Sequence, residues 1–192
     1  MADIPSHHII YGTLTDFITG EEIVDTDDER IRQELGRFLV HSLGYDKTDL
    51  EPRHTIETLF AGQFVISTID FIVSVSGKRF MILRYGPGSL VTRERPALAA
   101  ARVLDSSVQL PITVVTNGQD AEILDTYTGK VLLQGLDSIP SKAAAASLIK
   151  TLQFLPLTDS GKKERELRVL NAFDVEVCCA GGPCALPGAK EG

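Results

Sequence analysis

Tryptophan is absent from the 192-residue chain and aromatic residues make up only 6% of it, which argues against an aromatic cage or a base-stacking platform. No cysteine precedes Cys178. Cys178, Cys179 and Cys184 all fall in the last 15 residues, so the body carries no disulfide framework. The three thiols read as free, or as soft ligands for a thiophilic ion such as Zn²⁺, for which a fourth ligand is missing. No run of 18 apolar residues exists, so a helical membrane span is excluded, and Met1–His8 lacks the pattern of a secretory leader. A cytoplasmic protein is expected. Basic residues are outnumbered 19 to 26, a net charge of −7, so the molecule as a whole is no basic nucleic-acid glue.

Apolar residues reach 43% and charged residues 23%, the composition of an ordinary globular domain with a core. Residues 9–24 read as two short strands joined at Thr19-Gly20, and the Asp-x-x-Thr-Gly of that turn (Asp16) recurs at Asp125. Residues 27–43 form a helix capped by Asp27 or Asp28. Its apolar stripe is Ile31, Leu35, Phe38, Leu39 and Leu43, and Gly44 ends it. Residues 64–75 and 79–85 read as buried strands joined by a hairpin at Ser76-Gly77-Lys78. Gly86-Pro87-Gly88-Ser89 breaks the chain before a helix at 93–105. Strands are expected at ITVVT after Pro111, at 121–124 and at 131–133. Ser141 caps a helix reaching Phe154, and 162–173 form a charged helix. This order implies an α/β fold with a central mixed β-sheet flanked by helices on both faces. It divides the chain into a hairpin extension (1–26), an α/β domain (27–157), a helix (158–175) and a mobile Cys/Gly/Pro tail (176–192).

From Glu29 to Leu132 the chain resembles the N-terminal domain of type I restriction enzyme R subunits, a branch of the PD-(D/E)XK nuclease superfamily with the restriction-endonuclease-like fold. The segments carrying the resemblance are ERIRQELGRFLVHSLGY (29–45), STIDFIV (67–73) and PITVVTNGQDAEILD (111–125), the Val-Thr-Asn-Gly turn above all. The resemblance implies a helix carboxylate, a strand Asp and a Glu-x-Lys that together hold Mg²⁺ and activate water. Glu29 matches the first and Asp70 the second, but Arg84-Tyr85-Gly86 stands where Glu-x-Lys belongs. No acid lies between Asp70 and Glu94, and none of the chain's 26 acids is followed two positions later by Lys. The family's Gln on the helix before the Val-Thr-Asn-Gly strand has no counterpart in ALAAARVL (97–104). Arg84 beside Asp70 is expected to put a cation in the ion's place and to pair with the aspartate. At about 4 Å and an effective dielectric near 20, one unit pair is worth about 4 kcal/mol.

Between Lys78 and Arg102 the cations Lys78, Arg79, Arg84, Arg93, Arg95 and Arg102 face one acid, Glu94, a local charge of +5. The run reads as a phosphate-tracking groove or as ordinary solvated charge. The resemblance and the lost Glu-x-Lys together point to a non-catalytic nuclease-fold module, with DNA as its possible partner through these cations and no cofactor. Two alternatives stand beside it. One is a residual Mg²⁺-dependent endonuclease using Glu29 and Asp70. The other is a protein-binding or structural module without nucleic acid. The ATP-driven motor of a complete R subunit does not fit within this chain.

Overall fold

The longest apolar stretches of the sequence become the inner strands of a sheet. β4 (Gln63–Val75) and β5 (Lys78–Tyr85) pair antiparallel, and nearly every residue from Ile69 to Leu83 outside the turn is buried. Their loop is the two-residue Ser76-Gly77, with φ of +52° and +73°. Positive φ at both positions defines a turn whose twist matches the flanking strands. The structure of the protein, a computed structural model, describes residues 10–179.

The sheet has six strands in the order β3-β4-β5-β6-β7-β8, with β3 at Leu50–Phe60, β6 at Ile112–Thr116, β7 at Ala121–Asp125 and β8 at Val131–Gln134. Only β5 and β6 run parallel, joined by the crossover helix α2 (Val91–Val103). All other neighbours are antiparallel. β1 (Ile10–Thr15) and β2 (Glu22–Thr26) form a separate hairpin that feeds directly into α1 (Asp27–Arg37). α3 (Lys142–Leu148) and α4 (Ser160–Cys179) complete the order.

Helices cover both faces. Leu35 and Leu39 from the α1 region and Ala145 of α3 pack on Phe71, Val73, Leu83 and Val114. On the other face, Ala99–Ala101 and Val103 of α2 and Leu170 of α4 pack on Ile69, Ile72 and Ile82. The alanine-rich side of α2 lets that helix lie close to the sheet. The result is the expected α/β architecture, consistent with a restriction-endonuclease-like fold. No helix among the described residues is long and apolar enough to cross a membrane.

Three local readings are corrected. β3 was not expected from the sequence. Pro52 and the charges of Glu51, Arg53 and Glu57 disguise it, and such residues are tolerated because β3 is an edge strand. The α1 cap is Thr26, whose hydroxyl accepts the Glu29 amide at 3.2 Å, rather than Asp27 or Asp28. The α4 backbone runs on to Cys179, past the expected end at 175. The side chains of Cys178 and Cys179, and all of Cys184, lie outside the described residues.

Candidate functional site

Asp70 is the one carboxylate of the long β4 strand, and it is 3% exposed. Burying it without partners would cost several kcal/mol. It lies where the β4–β5 ladder ends, beyond the Phe71–Leu83 pair. One oxygen accepts the backbone N–H of Tyr85 at 2.6 Å, which replaces the missing ladder bond. The other accepts Arg32 Nε at 2.7 Å.

Arg32 and Glu29 share one face of α1 because they are three residues apart. Arg32 Nη1 donates to Glu29 while its Nε holds Asp70, so a single guanidinium bridges the two carboxylates. Burial penalises the Arg32 charge, but Asp70 and Glu29 outweigh that penalty and hold its pKa above the ordinary value. The network continues inward. Gln33 donates to Glu29 and to Asp16 at 2.8 Å each, and Arg53 of β3 pairs with Asp16 and lies 3.6 Å from Glu29. Burial pushes the Asp16 carboxyl up. The backbone N–H of Thr19, Arg53 and Gln33 overcome that effect and hold it well below the usual carboxylate range.

The structure therefore brings Glu29 and Asp70 together, as the resemblance implied, but through Arg32. The expected Arg84–Asp70 pair does not form. Arg84 points to α4 instead, where Nη2 contacts both oxygens of Asp174 at 3.2 Å. Arg84 is still nearby, because it lines the same cleft of about 270 Å³ as Asp28, Arg32, Asp70, Tyr85, Gly86, Arg93 and Asp174. Burial, with help from Asp28 and Asp70, pushes the Tyr85 hydroxyl up to about 12.

Gly86 stands where the resemblance implies a lysine, and a neighbour fills its side-chain space. A Cβ there would meet Arg93 Nε at 3.0 Å and Cδ at 3.1 Å. Arg93 comes from the first turn of α2 and reaches back over the Gly86–Ser89 loop. The Val-Thr-Asn-Gly turn supports that loop from below: Asn117 Nδ2 donates to the Gly88 carbonyl at 3.2 Å, while Asn117 Oδ1 caps the amides of Gln119 and Asp120. Gly118 has φ of +87°, and a Cβ there would lie 2.9 Å from Ile31 of α1. The turn thus ties α1, the loop and β6 together around the cleft.

The six cations do not form one groove. Lys78 and Arg79 lie toward the opposite end of β5 from Arg84, about 20 and 16 Å away at 3.3 Å per residue. There Lys78 sits 3.3 Å over the Phe154 ring and Arg79 pairs with Glu51. Arg102 is 7% exposed and fully engaged by Glu166 and the Thr126 carbonyl, both at 2.9 Å, and Arg95 shares that same Glu166 at 3.0 Å. Only Arg84 and Arg93 of the six line the cleft with Asp70. The reading of a continuous phosphate-tracking surface is corrected accordingly.

Among the described residues, no group of three or more His, Cys, Asp and Glu is arranged to hold a metal ion. The residues missed from the sequence are Arg32, Arg53 and Asp174. Of these only Arg32 left a trace, its three-residue spacing from Glu29.

Comparison with known families matches residues 27–140 to the type I restriction enzyme R protein N terminus. Neither the curated proteins nor the solved structures give a match.

Proposed function

Because the chain belongs to the family of type I restriction enzyme R protein N termini, we propose that it is a nuclease-fold module whose catalytic set is lost, and that it contacts DNA without cutting it. The observation that carries this reading is Arg32 bridging Glu29 and Asp70. Those two carboxylates are the ones the family pattern would assign to Mg²⁺. A monovalent guanidinium sits between them and satisfies both. The third acidic position is Arg84, and the space of the lysine position is taken by Arg93. On this reading the donor set does not fit a divalent ion, since hard cations need several convergent oxygens and here Arg32, Arg84 and Arg93 stand among the carboxylates of the cleft. No step is routed through a metal.

Of the six cations, Arg84 and Arg93 stand in the cleft, Arg84 held by Asp174 and with Asp28 also in the lining. These two guanidinium groups support contact with phosphate, so affinity for DNA falls as salt rises. The test is incubation of supercoiled plasmid with the protein in Mg²⁺ or Mn²⁺. The expected result is no nicking. Nicking that disappears in Asp70→Ala protein would overturn the reading.

A further inference from the structure

The cations that remain in the cleft are fewer than a duplex-tracking surface needs, and they are arranged differently. Arg84 Nη1 and Arg93 Nε are both buried, and neither has a hydrogen-bond partner among the described residues. A buried guanidinium N–H without an acceptor costs stability, and such groups call for a ligand. Both line the same cleft, beside a loop whose Gly86 has no side chain to displace Arg93. Arg93 reaches the Pro87 carbonyl only at 3.5 Å, the outer limit of a hydrogen bond.

Asp174 is the second observation. It stands on α4, beyond the matched residues 27–140, and puts both its oxygens on one nitrogen, Arg84 Nη2, at 3.2 Å. Charge-assisted N–H···O contacts normally run about 2.7–2.9 Å, and arginine prefers a two-nitrogen fork on a carboxylate. Arg32 meets Asp70 at 2.7 Å in the same cleft, so the long Arg84 contact is a property of that pair and not of the cleft. Asp174 holds Arg84 loosely and leaves its other terminal nitrogen unused.

From these two observations we infer that Arg84 and Arg93 form a seat for a single phosphate group, which Asp174 of the C-terminal helix partly occupies as an internal carboxylate. This deepens the DNA-contact reading and rests on it. It replaces duplex tracking with recognition of one oxyanion. A cleft of about 270 Å³ suits that ligand, as it lies below the range of roughly 300–1,000 Å³ typical of sites that enclose larger molecules. Arg84 Nη1 and Arg93 Nε would each donate to a phosphate oxygen, while Asp174 gives way. The same chemistry is offered by a strand terminus, by an internal phosphodiester and by free phosphate.

Binding of inorganic phosphate to the full chain, followed by calorimetry at about 0.1 M ionic strength, where charges more than about 10 Å apart are largely screened, tests the inference. Arg93→Ala removes no ion pair of the described fold and is expected to weaken binding about tenfold or more, the worth of a hydrogen bond to a charged group. Asp174→Asn is expected to tighten binding several-fold. Asp159→Asn is the control: it removes the same unit of charge some 22 Å along α4, beyond the screening length, and is expected to bind as the wild type does. Oligonucleotides with a 5′-phosphate or a 5′-hydroxyl then separate the sources. Preference for the former assigns the seat to strand ends, and equal binding with the same Arg93 dependence assigns it to internal phosphates. Unchanged phosphate binding in Arg93→Ala, or Asp174→Asn behaving as Asp159→Asn, overturns the seat. DNA binding that survives those outcomes leaves the broader reading standing. Phosphate binding that depends on Arg93 in a protein that ignores DNA sinks the broader reading alone.

Discussion

Arg32 Nε lies 2.7 Å from Asp70, and the other end of the same guanidinium holds Glu29, so one side chain of α1 bridges two buried carboxylates from two elements. This makes Arg32 structural. Arg32→Ala leaves Asp70 buried without its cation, and Glu29 with only the more distant Arg53, and is expected to cost about 3–5 kcal/mol. Urea unfolding of the variant at neutral pH measures it. A loss under about 1 kcal/mol would show that the bridge carries little weight.

Asp16 gives the fold an acid-sensitive point. Its folded-state pKa lies below that of an unfolded Asp, about 3.9, so its contribution is present above roughly pH 4 and is lost as pH falls toward the depressed value. The wild type is expected to be more stable than Asp16→Asn at pH 7, with the gap narrowing toward pH 2. Urea midpoints across that range test this, and a gap that widens in acid contradicts it.

Arg102 belongs to the attachment of α4 and not to any nucleic-acid surface. Arg102→Ala removes the buried partner of Glu166, which is 2% exposed, leaving it only the more exposed Arg95, and is expected to cost about 3 kcal/mol and to speed amide exchange in α4. Arg95→Ala, removing an exposed partner of the same acid, is expected to cost under about 1 kcal/mol.

Gly118 tests the support of the cleft. Gly118→Ala must adopt a φ of +87° and displace Ile31, so a loss of more than about 1 kcal/mol is expected in thermal unfolding.

Much of this was legible in the residues. The apolar runs gave β4 and β5, the stripe from Ile31 to Leu43 gave α1 and the π-helical turn Phe38–Ser42 in which it ends, and Thr-Asn-Gly gave the turn after β6, because each signal is local. The Asp-x-x-Thr-Gly echo is now explained as a shared turn, in which Gly20 and Gly129 each donate to the carbonyl of the turn's Asp, at 2.9 and 2.8 Å. β3 was hidden because an edge strand bears polar residues on both sides. The pairing of the site was hidden for a different reason. Arg84 follows the last β4–β5 pair, Phe71–Leu83, and precedes Tyr85, whose amide Asp70 accepts, but its side chain is drawn to Asp174, which lies 90 residues away, while Arg32 arrives from a helix 38 residues upstream. Sequence order says which charges exist, and only the fold says which of them meet.

Titration of the wild-type protein with Mn²⁺, read by calorimetry at neutral pH, probes the Glu29–Arg32–Asp70 bridge most directly. A flat isotherm, the same for the wild type and for Asp70→Asn, is predicted. Stoichiometric Mn²⁺ binding that Asp70→Asn abolishes would mean that the guanidinium yields to a metal, and the account would fail.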